Sequence, residues 1–195
     1  MRKDWSFDIV VWGWNFGAHS GRPGLLRDFE QVDWQAVHGY ASDPEVVRYM
    51  DWGPNTEDET KSFVKRSITV QQEEPRRDFE LAIVLERRLI GGCGIYISDP
   101  RNREGWIGYC LNRGFWGRGI GTETARAIVA FGFDRLGLHR IFATCDPENV
   151  ASARVLEKTG MQREGLLRER KWTKGRWLDC VLYAILDHEW PRLKT

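Results

Sequence analysis

The segment Trp116-Gly117-Arg118-Gly119-Ile120-Gly121-Thr122 stands between an apolar run, Trp106 to Leu111, and a helical pattern that begins after Thr122. Glycines at alternate positions remove the side chains that would hold a ligand off the backbone. The amides entering the helix can then converge on an anion, with the helix dipole behind them. A pyrophosphate is the group such a cradle suits. A glycine-rich turn also serves as a plain strand-to-helix connection, so this segment alone leaves both readings open.

A second element follows. After the strand-like run Arg140-Ile141-Phe142-Ala143-Thr144-Cys145 comes a helix from Val150 that Asn149 is placed to cap and Gly160 to stop. The order of strand, glycine-rich turn, helix, strand and Asn-capped helix resembles the GNAT superfamily of acyl-CoA-dependent N-acetyltransferases. The resemblance implies that acetyl-CoA is the acyl donor. Its pyrophosphate would be held by Trp116, Gly117, Arg118, Gly119, Ile120, Gly121 and Thr122, and Asn149 and Ser152 would lie beside its pantetheine arm. It also implies that the strand Trp106 to Leu111 splays from the strand at 139–145, opening a slot in which the amide of Leu111 serves as oxyanion donor.

Three further segments resemble the ribosomal-protein N-terminal acetyltransferase (Rim-type) branch: Gly24 to Phe29, Asp43 to Met50 with Trp52-Gly53-Pro54, and Arg163-Glu164-Gly165-Leu166-Leu167-Arg168. The likeness runs from residue 24 to about residue 188. It implies a peptide or protein N-terminal α-amine as acceptor. That branch also contains enzymes for polyamines and antibiotics, so a small-molecule amine is the alternative, and a non-catalytic acyl-CoA-binding module is the reading from another class.

Acyl transfer to an amine needs a held thioester, an oxyanion site, a base for the amine and a proton source for the departing thiolate. Many relatives place a tyrosine acid where this chain has Leu156, and the Rim-type pattern points to Ser152 as its substitute. A serine in a first helical turn also simply solvates the helix end. Asn149 is equally well explained as an N-cap accepting from an amide near Ser152, and both roles can coexist. For the base, Glu164 in the Arg-Glu-Gly triplet comes first. Glu104 is second, displaced by two residues, about 7 Å along a strand, from the place of Trp106 where relatives often carry a glutamate. A water chain is the third option. The catalytic expectation is therefore Glu164, Ser152 and Leu111. Arg118 is expected to add a charge-assisted contact to phosphate. Asp51, Glu57, Asp58 and Glu59 could attract a cationic amine, although acidic residues at a helix start are favoured in any case.

Competing readings fail on spacing. A dinucleotide fold wants G-x-G-x-x-G near the start of the chain, whereas Gly117, Gly119 and Gly121 run G-x-G-x-G past residue 100. No Gly-Lys-Ser or Gly-Lys-Thr supports a P-loop. His19, His38, His139 and His188 are scattered with neither triad nor metal-ligand spacing, so no metal is expected.

The 195 residues suffice for one well-buried core. Lys and Arg total 29 against 28 Asp and Glu, a balance that argues against a broad nucleic-acid footprint. No apolar run is long enough for a membrane span, and Asp4, Asp8 and Asn15 interrupt any export signal. Cys93, Cys110, Cys145 and Cys180 form no C-x-x-C pair and read as buried free thiols of a cytoplasmic protein.

These residues need a frame. The expectation is an α/β fold: a single GNAT domain with a mixed, largely antiparallel sheet flanked by helices and an extra N-terminal strand or arm. Residues 1–23 form the extension and 24–195 the acetyltransferase domain. Trp12, Trp14 and Phe16 share a face of the extension, before a glycine-rich linker at 17–24, and an arm packing on a second subunit in a homodimer is the sharper reading of that face. Strands are expected at 25–29, 79–86, 89–97, 105–112, 139–145, 161–171 and 177–186. Helices are expected at 33–41, 43–50, 56–72, 119–136 and 150–159, with Thr56 and Glu59 as a capping box and Gly137 as a C-terminal cap. The segment Tyr49 to Glu59 and the hairpin Trp172 to Trp177 should frame the acceptor pocket.

Overall fold

Alternation along the strand Asp78–Leu85 sets the architecture. Phe79, Leu81, Ile83 and Leu85 point to one face, and Ala82 and Val84 point to the other. A strand buried on both sides needs helices on both sides. The computed structural model describes residues 10–16 and 22–190, and it supplies them. In chain order the elements are β1 (Val10–Phe16), β2 (Arg22–Asp28), α1 (Trp34–Ala41), α2 (Glu57–Val70), β3 (Asp78–Leu85), β4 (Arg88–Asp99), β5 (Glu104–Leu111), α3 (Ile120–Asp134), β6 (Arg140–Cys145), α4 (Val150–Thr159), β7 (Gln162–Thr173) and β8 (Arg176–Leu186).

The strands form one sheet in the order β1-β2-β3-β4-β5-β6-β8-β7, antiparallel throughout except for the parallel pair β5 and β6. Helices α3 and α4 cover the larger core, in which Ile95, Ile107, Ile128, Ile141, Leu156 and Ile185 are buried. Helices α1 and α2 cover the smaller one, built on Phe29, Val37, Val47 and Val64. Gly132 lets α3 sit close on the sheet, since a Cβ there would lie 2.6 Å from both Ile95 Cδ1 and Ile141 Cδ1.

Local signals act as read. Thr56 Oγ1 accepts from the Glu59 amide at 3.3 Å, and Glu59 Oε2 accepts from the Thr56 amide at 2.7 Å. Gly137 takes φ +65° just beyond α3. Residues 43–50, expected to be helical, form successive turns instead. Pro44 disfavours a helical Asp43, and Asp43 captures the amides that follow. Its Oδ1 accepts from Glu45 at 3.0 Å, and its carbonyl accepts from Val46 and Val47 at 3.1 and 3.2 Å. The β3–β4 turn falls on Glu86 and Arg87, one residue earlier than expected, with φ of 49° and 66°.

The N-terminal strand pairs with β2 from Val10↔Arg27 to Phe16↔Arg22, and β2 itself begins at Arg22, ahead of the expected boundary. Residues 1–9, the linker positions 17–21 and the side chains of Trp12, Trp14 and Phe16 lie outside the described residues, as does the expectation of an arm that rests on them. No helix among the described residues is long and apolar enough to cross a membrane.

Candidate active site

Strands β5 and β6 pair only from Glu104↔Arg140 to Trp106↔Phe142 and then part. On its other side β5 keeps an unbroken register with β4 from Ile97↔Gly105 to Gly91↔Leu111. The next amide, Asn112, donates to the Ile90 carbonyl at 2.8 Å. Since antiparallel neighbours alternate in the direction of their N–H groups, Gly108 and Cys110 also face β4, and the amides of Tyr109 and Leu111 face the opening left by β6. This is a slot with strand donors facing it from one wall, as the family resemblance implied.

The glycine-rich turn follows the end of β5 at the open side of the slot. Trp116 gives its backbone amide to Arg113 O at 3.2 Å and its indole Nε1 to Leu111 O at 2.9 Å, tying the turn to the end of β5. Gly117 and Gly119 have φ of 72° and 80°, which glycine adopts without strain. A Cβ at either would meet nothing within 4 Å, so the surface above the turn is open. The first α3 amides with a partner in the turn are Thr122 and Glu123, both bonded to Gly119 O, at 3.0 and 3.1 Å. Those of Ile120 and Gly121 precede the helical ladder and point out of its positive end. The guanidiniums of Arg118 and Arg88 lie 5.4 and 5.7 Å from the centre of the Phe115 ring, adding positive charge beside the turn.

The facing wall is the start of α4. Asn149 Oδ1 accepts from the Ser152 amide at 3.1 Å, which is the capping role expected of it. Ser152 Oγ lies 3.0 Å from the hydroxyl of Tyr109, and Ser152 O lies 3.3 Å from the same hydroxyl, within reach of the same phenol hydrogen. Sequence reasoning passed over Tyr109. The available signal was its parity with Leu111 on β5, whereas its partner lies on a helix far along the chain.

Glu164 and Glu104 do not join this group. Both bind Arg140: Glu164 through Oε1 and Oε2 at 2.8 and 2.6 Å, and Glu104 through Oε2 at 3.0 Å. Arg140 and Glu104 sit where β5 and β6 are still paired, at the closed end of the slot. The Arg140 guanidinium beside Glu164 holds its carboxyl below the usual glutamate range. Asp179 is structural, its Oδ1 accepting from the Glu169 amide at 2.8 Å within the irregular stretch of β7.

The opposite face of the sheet carries Trp106, 40% exposed, stacked at 3.9 Å on Tyr96. The β7–β8 hairpin docks on the turns before α2. Lys171 Nζ meets Asp51 Oδ2 at 2.8 Å, Thr173 Oγ1 donates to Asp51 O at 3.1 Å, and Lys174 Nζ donates to Val47 O at 2.8 Å. The two segments expected to frame an acceptor pocket therefore touch. Asp51, Glu57 and Glu59 are engaged by Lys171, Lys61 and Thr56.

Comparison with known proteins decides the family. The acetyltransferase (GNAT) domain matches residues 25–162. The chain belongs to the GNAT acetyltransferase family. The N-acetyltransferase YnaD of Bacillus subtilis is 38% identical over 168 residues, covering 85% of this chain and 95% of YnaD. A GNAT acetyltransferase structure from Bacillus anthracis, 35% identical, superposes with a TM-score of 0.76 over 88% of this chain and 98% of its own. Some relatives carry acceptors in their names. YdaF of B. subtilis, assigned by name to ribosomal acetylation, is 31% identical over 57% of this chain and 61% of its own. Spermidine N(1)-acetyltransferase of Escherichia coli is 22% identical over 89% of each chain. As a GNAT enzyme the protein is an N-acetyltransferase.

Proposed function

We propose that this enzyme transfers the acetyl group of acetyl-CoA to the α-amine of a peptide or protein N-terminus in the cytoplasm. The observation that carries the donor half is the parting of β5 and β6 directly before the open turn Gly117–Gly121. Pantetheine pairs along β5 in the slot. The pyrophosphate meets the amides from Gly117 to Thr122, and Arg118 contributes charge beside them. Asn149 holds the start of α4 against the arm.

Chemistry follows from the donors. The amide of Leu111 stabilises negative charge on the thioester oxygen as the amine attacks carbon. The C–N bond forms, the carbonyl pair returns, and the C–S bond breaks with its electrons on sulfur. The hydroxyl of Ser152 hydrogen-bonds that sulfur as charge gathers there. Arg140 holds both candidate carboxylates, so the proton lost by the amine passes to bound water, and the departing thiolate takes up a proton in turn.

Two observations favour a peptide over a polyamine. Three of the four carboxylates that could draw a polycation have partners within the protein. The hairpin beside the acceptor face presents Trp172 and Trp177 at 61% and 55% exposure, an aromatic surface suited to a chain. YdaF, more similar over its matched stretch than the spermidine acetyltransferase of E. coli, points the same way. Thiol release from acetyl-CoA with free and N-blocked peptides, spermidine and an aminoglycoside tests the assignment. Free peptides should give the highest kcat/KM and blocked ones none. A preference for spermidine or the aminoglycoside would overturn it.

A further inference from the structure

Tyr109 spans the slot at the level where β5 and β6 have separated. It leaves β5, whose ladder to β6 ends at Trp106, and reaches the first turn of α4 on the other side. The residue is half-buried, and desolvation of its phenol raises the pKa above the ordinary tyrosine value, so the group keeps its proton throughout the working range. A protonated phenol has one hydrogen to give and two acceptors in reach, Ser152 Oγ at 3.0 Å and Ser152 O at 3.3 Å. Asn149 Oδ1 already holds the Ser152 amide, so the serine is fixed from both sides.

The serine hydroxyl also has a single hydrogen. If Ser152 donated to Tyr109, that hydrogen would be spent inside the protein and none would be left for a ligand. If Tyr109 donates to Ser152, the serine O–H is free to turn into the slot. We infer that Tyr109 is a positioning residue: its single hydroxyl hydrogen is shared between Ser152 Oγ at 3.0 Å and Ser152 O at 3.3 Å, and so leaves the serine hydrogen to be directed at the sulfur of acetyl-CoA. The inference rests on the acetyl-transfer chemistry above and deepens it. When the C–S bond breaks, the electron pair moves onto sulfur and the Ser152 hydrogen bond strengthens. Tyr109 gives up no proton, since a desolvated phenol holds its hydrogen more tightly than a thiol does. A residue from β5 thus does part of the work that relatives assign to a tyrosine on the helix, where this chain has Leu156.

The test is a double-mutant cycle on Tyr109→Phe and Ser152→Ala, read as thiol release from acetyl-CoA with the best acceptor of the screen. Phenylalanine keeps the ring and its packing. Ser152→Ala should lower kcat about a hundredfold, as for a lost donor to developing charge, and Tyr109→Phe about tenfold. The double variant should fall within about twofold of Ser152→Ala, because without the serine the phenol has nothing to direct. The KM for acetyl-CoA should stay nearly constant in all three. Wild-type kcat in Tyr109→Phe, or a double variant that loses the product of the two single losses, would overturn the inference. If peptides are not turned over, the acceptor assignment fails by itself, and the same cycle is read on whichever amine reacts, or on acceptor-free release of thiol to water.

Discussion

Glu164 meets Arg140 in a two-pronged ion pair, at 2.8 and 2.6 Å, and the Nε of the same guanidinium donates to Glu104 at 3.0 Å. Two carboxylates therefore share one cation. A base that works near neutrality needs its proton affinity raised, and Arg140 lowers that of Glu164. The ion pair ties β6 to β7 across β8.

Glu164→Gln should accordingly leave kcat/KM within about threefold of wild type from pH 7 to 9. Its effect belongs to stability, and the sign follows from the lowered pKa. The ionised pair stabilises the fold above the unfolded carboxyl value, about 4.3, and that contribution fades as pH falls through the lower native value. With the Glu164 side chain 39% exposed, solvent screening limits it to about 1 kcal/mol or less. Melts should show a small deficit for the variant at pH 7 that closes in acid. A hundredfold loss of kcat/KM that recovers at high pH would return Glu164 to the mechanism as base.

The backbone features around the glycine-rich turn and the helix caps were legible because their signals are local. Gly117 and Gly119 announce left-handed backbone, Thr56 and Glu59 cap each other across one turn, and Asn149 caps α4 from the position read for it. The fate of Glu164 was hidden by two register shifts in β7, between Arg163 and Gly165 and between Leu167 and Lys171. Each shift breaks the period-two rule by which a side chain's face is read from sequence. Tyr109 was hidden for another reason: a hydroxyl pair formed between a strand and a helix leaves no spacing to recognise. At 43–50 apolar periodicity misled, because Asp43 spends its own side chain and carbonyl on the amides that a helix would have used.

Acetyl-CoA should stabilise the wild-type protein by about 2.7 kcal/mol at a hundred times its dissociation constant. Gly119→Ala and Gly119→Asp both place a side chain at φ 80°, so both should melt lower than wild type without ligand. They differ in charge. The alanine variant should retain part of the ligand-induced shift, whereas the aspartate, carried at the mouth of the amide cradle, should abolish it. Thermal melts with and without acetyl-CoA decide the point. Equal shifts in the two variants would mean that the pyrophosphate binds elsewhere.

Arg118 and Arg88 should act through charge, since both lie over Phe115 beside the turn. Replacing either with Gln should weaken acetyl-CoA binding about fivefold to tenfold at low salt. The loss should shrink at 0.5 M NaCl, where screening shortens the reach of the remaining charges. Calorimetric titration at two salt concentrations measures this. A loss that is independent of salt would indicate that the arginines act by packing on Phe115 instead.

The hairpin of β7 and β8 should govern the acceptor and spare the donor. It is moored to the turns before α2 by Lys171 on Asp51, Thr173 on the Asp51 carbonyl and Lys174 on the Val47 carbonyl. Glycine turn, β5 and α4 lie outside that set of contacts. Asp51→Ala removes the carboxylate and leaves the carbonyl bond to Thr173. The exposed pair it breaks is worth about 1 kcal/mol or less, so the fold should survive. A freer hairpin would define the acceptor face less well, and KM for the acceptor should rise about threefold to tenfold with KM for acetyl-CoA unchanged. Lys171→Met, which breaks the same pair from the other side, should do the same, and combining the two should add little. Steady-state kinetics with each substrate varied in turn provides the check. An equal rise in both KM values, or none in either, would detach the hairpin from acceptor binding.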